Sequence, residues 1–85
     1  MKMAYVTKKN GDLEKFSKAK IVRGCRKAGA SMKYAEWIAS KVAKKAYDKI
    51  STRRIGEMVV VHLRKIDRKA AISFNKFFTR NWKGL

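Results

Sequence analysis

The sequence predicts an α+β fold in which a small N-terminal β-hairpin or sheet caps a four-helix bundle. An Asn-Gly pair, Asn10-Gly11, lies between two short β-compatible segments near the start of the chain. Four later segments repeat apolar residues every three or four positions, and each follows a residue that can cap a helix. The chain has no proline, and no linker or repeat divides it. We therefore expect a single domain over residues 1–85.

The hairpin is predicted over residues 4–16. Asn and Gly tolerate the positive φ that a type I′ turn requires, so Asn10-Gly11 predicts such a turn. Four hairpin side chains are expected to be buriable, namely Tyr5, Val6, Leu13 and Phe16.

Capping residues place the helices. Gly29 fits the left-handed position that ends the first helix. The predicted helices are 18–27 after Ser17, 32–48 after Ser31, 53–65 after Ser51 or Thr52, and a fourth after Asp67.

Apolar periodicity gives each helix a buried face. The third helix has the widest one, so we expect it to be central. The expected faces are Ala35, Ile38, Ala39, Val42 and Ala46 on the second helix, Ile55, Met58, Val59, His62, Leu63 and Ile66 on the third, and Ala70, Ala71, Phe74, Phe77, Phe78 and Trp82 on the fourth.

The composition indicates a polyanionic partner. The chain carries 23 Lys and Arg against 6 Asp and Glu, a net charge of +17. Such a charge raises the local concentration of anions and attracts polyanions, whether nucleotides, nucleic acids or acidic membrane surfaces.

Catalysis and metal binding are not predicted. The acids are dispersed, and a single cysteine, Cys25, permits neither an intrachain disulfide nor a multi-cysteine zinc site. His62 and Cys25 both lie on apolar faces and are expected to be packing residues. No segment reaches the length of a membrane span or contains a signal-peptide core, so we expect a soluble, cytoplasmic protein.

The hairpin and the first helix start bring together cations that suit a triphosphate. Lysine ammonium groups pair with phosphate oxygens, and a helix N-terminus adds partial positive charge. The lysines in this part of the chain are Lys8, Lys9, Lys15 and Lys20. Glu14 is the acid among them, and its carboxylate can accept a hydrogen bond from a base amino group. A solvated hairpin without a ligand is the alternative interpretation of the same charges.

Four blocks carry a resemblance to a known family: 6–21, 27–30, 50–57 and 63–74. In this order they resemble the ATP-cone, the nucleotide-sensing module of ribonucleotide reductase large subunits and of the bacterial repressor of reductase genes. The match runs from about residue 5 to residue 78, and the resemblance implies that these residues form the core of the domain. Ile-Gly-Glu at 55–57 and Leu-x-x-Ile-Asp at 63–67 look closest to the repressor's version.

The resemblance implies ATP or dATP, with or without Mg²⁺ and with no structural metal, held between the hairpin, the first helix and the start of the third. By resemblance, Val6, Phe16 and Ile21 would surround the adenine ring, and Glu14 and Ser17 would form hydrogen bonds with its edge. Lys8, Lys9 and Lys20 would bind the phosphates. Thr52 and Ile55 would close the pocket, and Tyr47 would lie near it.

The chain departs from the family pattern at several positions. Gly56 replaces the Asp or His that addresses the sugar in many reductases, Asn10 replaces the usual turn Asp, and Ala71 and Ser73 replace an aromatic residue and a cation. Residues 1–85 include neither a zinc ribbon nor a catalytic domain, so we expect the module to stand alone.

The predicted function is therefore a non-catalytic nucleotide-responsive regulator that acts through self-association, a reductase or DNA. The alternative is a basic, non-specific nucleic-acid-binding protein on a cone-like fold that has lost its nucleotide. Membrane-surface binding through residues 77–83 is the least favoured hypothesis, because those aromatic residues also fit the core.

Overall fold

A three-stranded sheet and four helices form the fold, which confirms the α+β prediction. The structure is a computed structural model, and it describes the backbone of residues 5–81 and the side chains of residues 5–76. The elements in chain order are β1 (Tyr5–Thr7), β2 (Leu13–Lys15), α1 (Lys18–Lys27), α2 (Met32–Lys45), β3 (Ile50–Ser51), α3 (Thr52–Ile66) and α4 (Arg68–Asn81).

Side-chain caps start the helices at the predicted places. The first backbone N–H groups of a helix have no intrahelical acceptor, and a preceding Ser or Asp oxygen supplies one. Ser17 accepts from the Lys20 N–H at 3.4 Å, Ser31 from Tyr34 at 3.3 Å, Ser51 from Arg54 at 3.0 Å and Asp67 from Ala70 at 3.1 Å. The second helix ends at Lys45 rather than at residue 48, because Ala46 is already extended with φ −68° and ψ 144°.

β1 is the central strand of the sheet. It pairs antiparallel with β2 and parallel with β3, so that Val6 lies opposite both Glu14 and Ile50. The sequence interpretation treated residues 50–52 as a break and missed β3. A two-residue strand is too short to show the alternation that identifies strands.

Side-chain and backbone hydrogen bonds tie the segment before β3 to β1. The Thr7 hydroxyl donates to the Lys49 carbonyl at 2.8 Å, and the Lys49 N–H donates to the Tyr5 carbonyl at 2.8 Å. The Tyr5 N–H donates to Asp48 Oδ1 at 3.1 Å. These bonds join residues more than 40 positions apart in the chain.

The hairpin forms as predicted, but the prediction of a type I′ turn is wrong. The Lys8 carbonyl accepts from the Gly11 N–H at 2.9 Å, and the Lys8 N–H donates to the Asp12 carbonyl at 2.7 Å. Gly11 has φ +93°, whereas Asn10 has a negative φ, which is typical of a type I turn followed by a glycine bulge. Asn10 instead accepts the Asp12 N–H on its side-chain oxygen at 3.0 Å, so it stabilises the turn without a left-handed backbone.

The sheet buries one face, which corrects two of the four hairpin predictions. Neighbouring residues of a strand point to opposite faces, so Tyr5 and Val6 cannot both be buried. Val6 is 1% exposed and Phe16 packs at the edge of the core, whereas Tyr5 is 40% and Leu13 51% exposed.

The core lies between the inner face of the sheet and the helices. α3 packs against α2, α4 and β3, which agrees with its predicted central place. The buried apolar residues include Ile21 and Cys25 of α1, Ala35, Ile38, Ala39 and Val42 of α2, Ile55, Val59, Val60 and Leu63 of α3, and Ala70, Ala71 and Phe74 of α4. The predicted core residues Phe77, Phe78 and Trp82 lie outside the described side chains. Within residues 5–81, no helix combines the length and hydrophobicity needed to cross a bilayer.

Two positions with positive φ predict opposite effects of substitution. Gly29 has φ +105° with open space around its missing Cβ, and Lys49 has φ +67°. Because a Cβ is strained there, Gly29→Ala should lower the free energy of unfolding by about 1 kcal/mol, and Lys49→Gly should raise it by about 0.5 kcal/mol. Urea denaturation measures both values. Lys44→Gly, at an exposed position of α2, is the control and should destabilise; a loss of stability at Lys49 would contradict the prediction.

Candidate functional site

The inner face of the hairpin carries both apolar and charged side chains. Val6 and Glu14 are directly opposed on β1 and β2, so they share a face, and Lys8 shares it because it lies two residues beyond Val6. Since Val6 is buried, this face is the one directed at the helices. The register of the hairpin thus places a carboxylate and an ammonium group at the edge of the core.

Lys8 and Lys20 converge on the Glu14 carboxylate. Lys20 Nζ lies 2.9 Å and Lys8 Nζ 3.6 Å from Glu14 Oε2. The three side chains are partly covered, with 36%, 33% and 26% exposure for Lys20, Lys8 and Glu14. The hydrogen bond from Lys20 lowers the pKa of Glu14, partial burial opposes that shift, and the charges of Lys20 and Lys8 lower the pKa further. Glu14 is therefore ionised at neutral pH.

The second oxygen of the same carboxylate is differently placed. Glu14 Oε1 is shielded from solvent, and no donor among the described residues forms a hydrogen bond with it. A buried acceptor without a donor costs about 1–3 kcal/mol. Such an acceptor is a position at which an external donor, either water or a ligand, would be stabilised.

The start of α1 adds positive potential beside the carboxylate. Ser17 Oγ caps the helix by accepting the Lys20 N–H, which leaves the hydroxyl proton free to be donated elsewhere. The first turn of α1 contains no acidic residue, so no carboxylate of that turn offsets the partial positive charge of the helix N-terminus. We call Val6, Lys8, Glu14, Ser17 and Lys20 the hairpin–α1 cluster.

The other predicted site residues divide into buried and exposed positions. Ile21 and Ile55 are fully buried, Thr52 is 2% exposed, and Phe16 packs against the core. Lys9 lies exposed in the turn and Tyr47 is exposed before β3. The structure thus brings most of the predicted residues to the hairpin and its underlying core, and it leaves Lys9 and Tyr47 at the surface.

Sequence analysis missed two cations at the same end of the sheet. Ser51 pairs with Thr7, so the start of α3 lies beside the hairpin end of β1. Arg53 and Arg54 occupy this first turn and pair with Glu57 at 3.8 and 3.4 Å. Their i,i+4 and i,i+3 spacing to Glu57 was visible in the sequence, but their place next to the hairpin depends on β3.

Open grooves also lie between helices of the described residues. A groove of about 460 Å³ between α3 and α4 is lined by Val60, Arg64, Arg68, Ala71, Ile72 and Asn75. A groove of about 410 Å³ between α1 and α2 is lined by Lys18, Ala19, Val22, Glu36, Ala39 and Ser40.

The described residues hold no group of three or more side chains suited to bind a metal ion. Burial raises the pKa of the Cys25 thiol to about 11, so this cysteine remains a neutral packing residue. Partial burial and the charges of Lys45, Lys65 and Lys41 lower the pKa of His62, so its imidazole is neutral at pH 7.

Comparisons with known proteins point to one family. The profile of the ATP cone domain matches residues 4–80. The transcriptional repressor NrdR of Clostridium kluyveri is 36% identical over an alignment of 77 positions, and the match covers 81% of this chain and 51% of the repressor. NrdR of a Synechococcus species is 30% identical over an alignment of 88 positions, and that match covers 94% of this chain and 44% of the repressor. An uncharacterized protein of Archaeoglobus fulgidus is 55% identical over 40 residues, 47% of this chain and 85% of that protein. The chain spans about half the length of the repressors it matches.

Glu14→Gln should weaken the fold in a pH-dependent way. Because the pKa of Glu14 is lowered in the folded chain from its ordinary 4.5, the carboxylate stabilises the fold above that pH, and this contribution is lost as the pH falls through the lowered pKa. At pH 7 and low salt we expect Glu14→Gln to reduce the free energy of unfolding by about 0.5–1 kcal/mol. Denaturation curves between pH 7 and pH 3 measure the difference.

The matched control is Glu57→Gln, since the Glu57 side chain is 47% exposed between two more exposed arginines. It should cost less than Glu14→Gln at pH 7. If the free energies of unfolding of the wild type and Glu14→Gln differed by the same amount at pH 7 and pH 3, the stabilising role of the ionised Glu14 carboxylate would be contradicted.

Proposed function

Because the chain belongs to the ATP-cone family, we propose that it is a non-catalytic regulatory module that binds ATP or dATP at the hairpin–α1 cluster. Residues 1–85 act as one domain in this proposal. Its output is association with a second copy, with a ribonucleotide reductase or with DNA. The repressors that resemble it support a role in transcription regulation, and the net charge of +17 supports a DNA partner.

The solvent-shielded oxygen of Glu14 carries the proposal. A neutral adenine ring has an exocyclic amino group that donates hydrogen bonds, and Oε1 is a charged acceptor with no donor in the described part of the chain. A bond between them would satisfy the acceptor and select adenine over a base with a carbonyl at the same position. The Ser17 hydroxyl proton adds a donor for a ring nitrogen beside it.

The cations of the cluster suit the phosphates. Lys8 and Lys20 already face one anionic oxygen at 3.6 and 2.9 Å, and phosphate oxygens would replace that partner or share it. Lys9 supplies a further ammonium group from the turn, and the N-terminus of α1 adds its partial charge. Mg²⁺ bound by the triphosphate itself is compatible with this arrangement.

The apolar part of the site requires a movement of the hairpin. Val6 and Ile21 are at most 1% exposed, so an adenine ring can contact Val6, Phe16 and Ile21 only when the hairpin shifts away from α1. Thr52 and Ile55 would then close the pocket from α3, and Tyr47 would lie at its mouth. Because β1 also holds β3, a shift of the hairpin would reach the start of α3, and nucleotide binding would change the surface that partners meet.

Base selection is tested by comparing ATP with ITP, which replaces the exocyclic amino group by a carbonyl. Isothermal titration of the wild type should show ATP bound about tenfold or more tightly than ITP, because a hydrogen bond to a charged acceptor contributes about 1.5–3 kcal/mol. In Glu14→Gln the preference should fall towards unity, since a carboxamide can accept or donate. dATP is titrated in parallel to compare the two sugars.

Glu57→Gln is the control for the change in charge and should retain the preference for ATP. If neither ATP nor dATP binds at millimolar concentration, the proposal is wrong, and the basic nucleic-acid-binding alternative remains. If Glu14→Gln keeps the full preference for ATP over ITP, the base lies elsewhere.

The phosphate contacts are tested by a matched pair of double variants. Lys8→Gln with Lys20→Gln should weaken ATP binding about tenfold or more and reduce the difference between ATP and AMP, because two charge-assisted contacts are removed. Lys15 follows Glu14 on β2 and therefore points to the opposite face of the sheet, away from the cluster. Lys15→Gln with Lys27→Gln removes the same charge from exposed positions on β2 and α1 and should change binding several-fold less. Equal losses in the two pairs would show a general effect of net charge and contradict the site.

A further inference from the structure

The surface formed by α2 and α3 carries two exposed aromatic side chains. Tyr34 and Trp37 are three residues apart on α2, so they lie on neighbouring turns of one side of the helix. Each is 44% exposed. Single exposed aromatics are common at protein surfaces, but two adjacent ones form a platform.

Trp37 is held in place by its neighbours. The His62 ring of α3 meets the indole at a centroid distance of 5.8 Å and an interplanar angle of 82°. Lys41 Nζ lies 5.4 Å from the centroid of the indole ring, within the range of a cation–π interaction. The indole is thus orientated by α3 and α2 while almost half of its surface stays accessible.

The charges that act on His62, beside Trp37, have one sign. Lys41, Lys45 and Lys65 are all near enough to His62 to lower its pKa, and no acidic group acts on that pKa. We call this surface the α2–α3 face, and it comprises Tyr34, Trp37, Lys41, Lys45, His62 and Lys65. Its chemistry combines aromatic rings with ammonium groups.

We propose that the α2–α3 face binds single-stranded nucleic acid, with a base stacked on Trp37, a second base near Tyr34, and the connecting phosphates paired with Lys41 and Lys45. Proteins that bind single strands without sequence preference use this combination of stacking surface and cationic track. The bases of a duplex are stacked on each other and cannot reach an indole at the surface. The same face of a second copy is disfavoured as the occupant, because it carries the same ammonium groups.

The proposal is independent of nucleotide binding at the hairpin–α1 cluster, since it uses α2 and α3 residues that the cluster does not contain. A single strand bound there would make the module responsive to two ligands of related chemistry. The proposal also assigns a binding role to some of the cations that exceed the acidic residues in number.

The stacking contact is tested by fluorescence anisotropy with a labelled oligothymidylate of about 20 nucleotides, a length that spans more than one typical site. Trp37→Ala should weaken binding about tenfold, because one stacked base is lost. Trp37→Phe keeps an aromatic face and should lose no more than about threefold. Unchanged binding by Trp37→Ala, or tighter binding of a duplex of the same length than of the single strand, would overturn the proposal.

The cationic track is tested by the salt dependence of the same titration. Lys41→Gln with Lys45→Gln should reduce the slope of log affinity against log salt by about 1.4, since each phosphate contact on a single strand contributes about 0.7. Lys15→Gln with Lys27→Gln, which leaves the α2–α3 face intact, should change that slope by less than half as much. Equal changes in the two pairs would overturn the proposal.

Circular dichroism melting and ATP titration of every variant separate the two sites. If Trp37→Ala fails to fold, Trp37→Phe and the two lysine pairs decide the result. Folded Trp37→Ala with normal ATP binding and weakened oligothymidylate binding supports the α2–α3 face. Loss of oligothymidylate binding in the Lys8→Gln, Lys20→Gln pair but not in Trp37→Ala would move the nucleic acid to the hairpin and overturn this inference, without bearing on the nucleotide.

Discussion

The position of β1 between β2 and β3 is the constraint on which the arrangement of the site depends. Val6 is paired on one side with Glu14 of the hairpin and on the other with Ile50 of β3, the strand that leads directly into α3. This pairing turns the side chains of Val6 and Glu14 towards the helices and sets the start of α3 beside the hairpin. A strand of three residues therefore determines which side chains can act together.

Electrostatics gives this arrangement its chemical character. The 23 basic residues outnumber the 6 acidic residues almost fourfold, and the mutual repulsion of the cations opposes the compact state. Glu14 is placed where one carboxylate pairs with two ammonium groups, which leaves a net positive charge, and its other oxygen is shielded from solvent with no donor among the described residues. A ligand that combines anionic oxygens with an amino group complements both features, as an adenine nucleotide does.

The sequence predictions were correct where the interacting residues are close together in the chain and failed where they are far apart. Caps at Ser17, Ser31, Ser51 and Asp67 act on N–H groups three residues away, so the starts of the helices were visible in the sequence. The type I′ turn was predicted wrongly because an Asn-Gly pair also suits a type I turn with a glycine bulge. In that turn Asn10 accepts the Asp12 N–H through its side chain. β3 was missed because its hydrogen bonds run to β1, more than 40 residues earlier.

The sequence alone determined the helices, the hairpin, the cationic character and the family resemblance, because these rest on local spacing, composition and the order of motifs. Only the tertiary structure decided that Glu14 lies between Lys8 and Lys20, that Tyr5 and Leu13 face solvent, and that Trp37 meets His62 across two helices. Contacts of this kind depend on strand register and helix packing, which are set by the whole core and not by neighbouring residues.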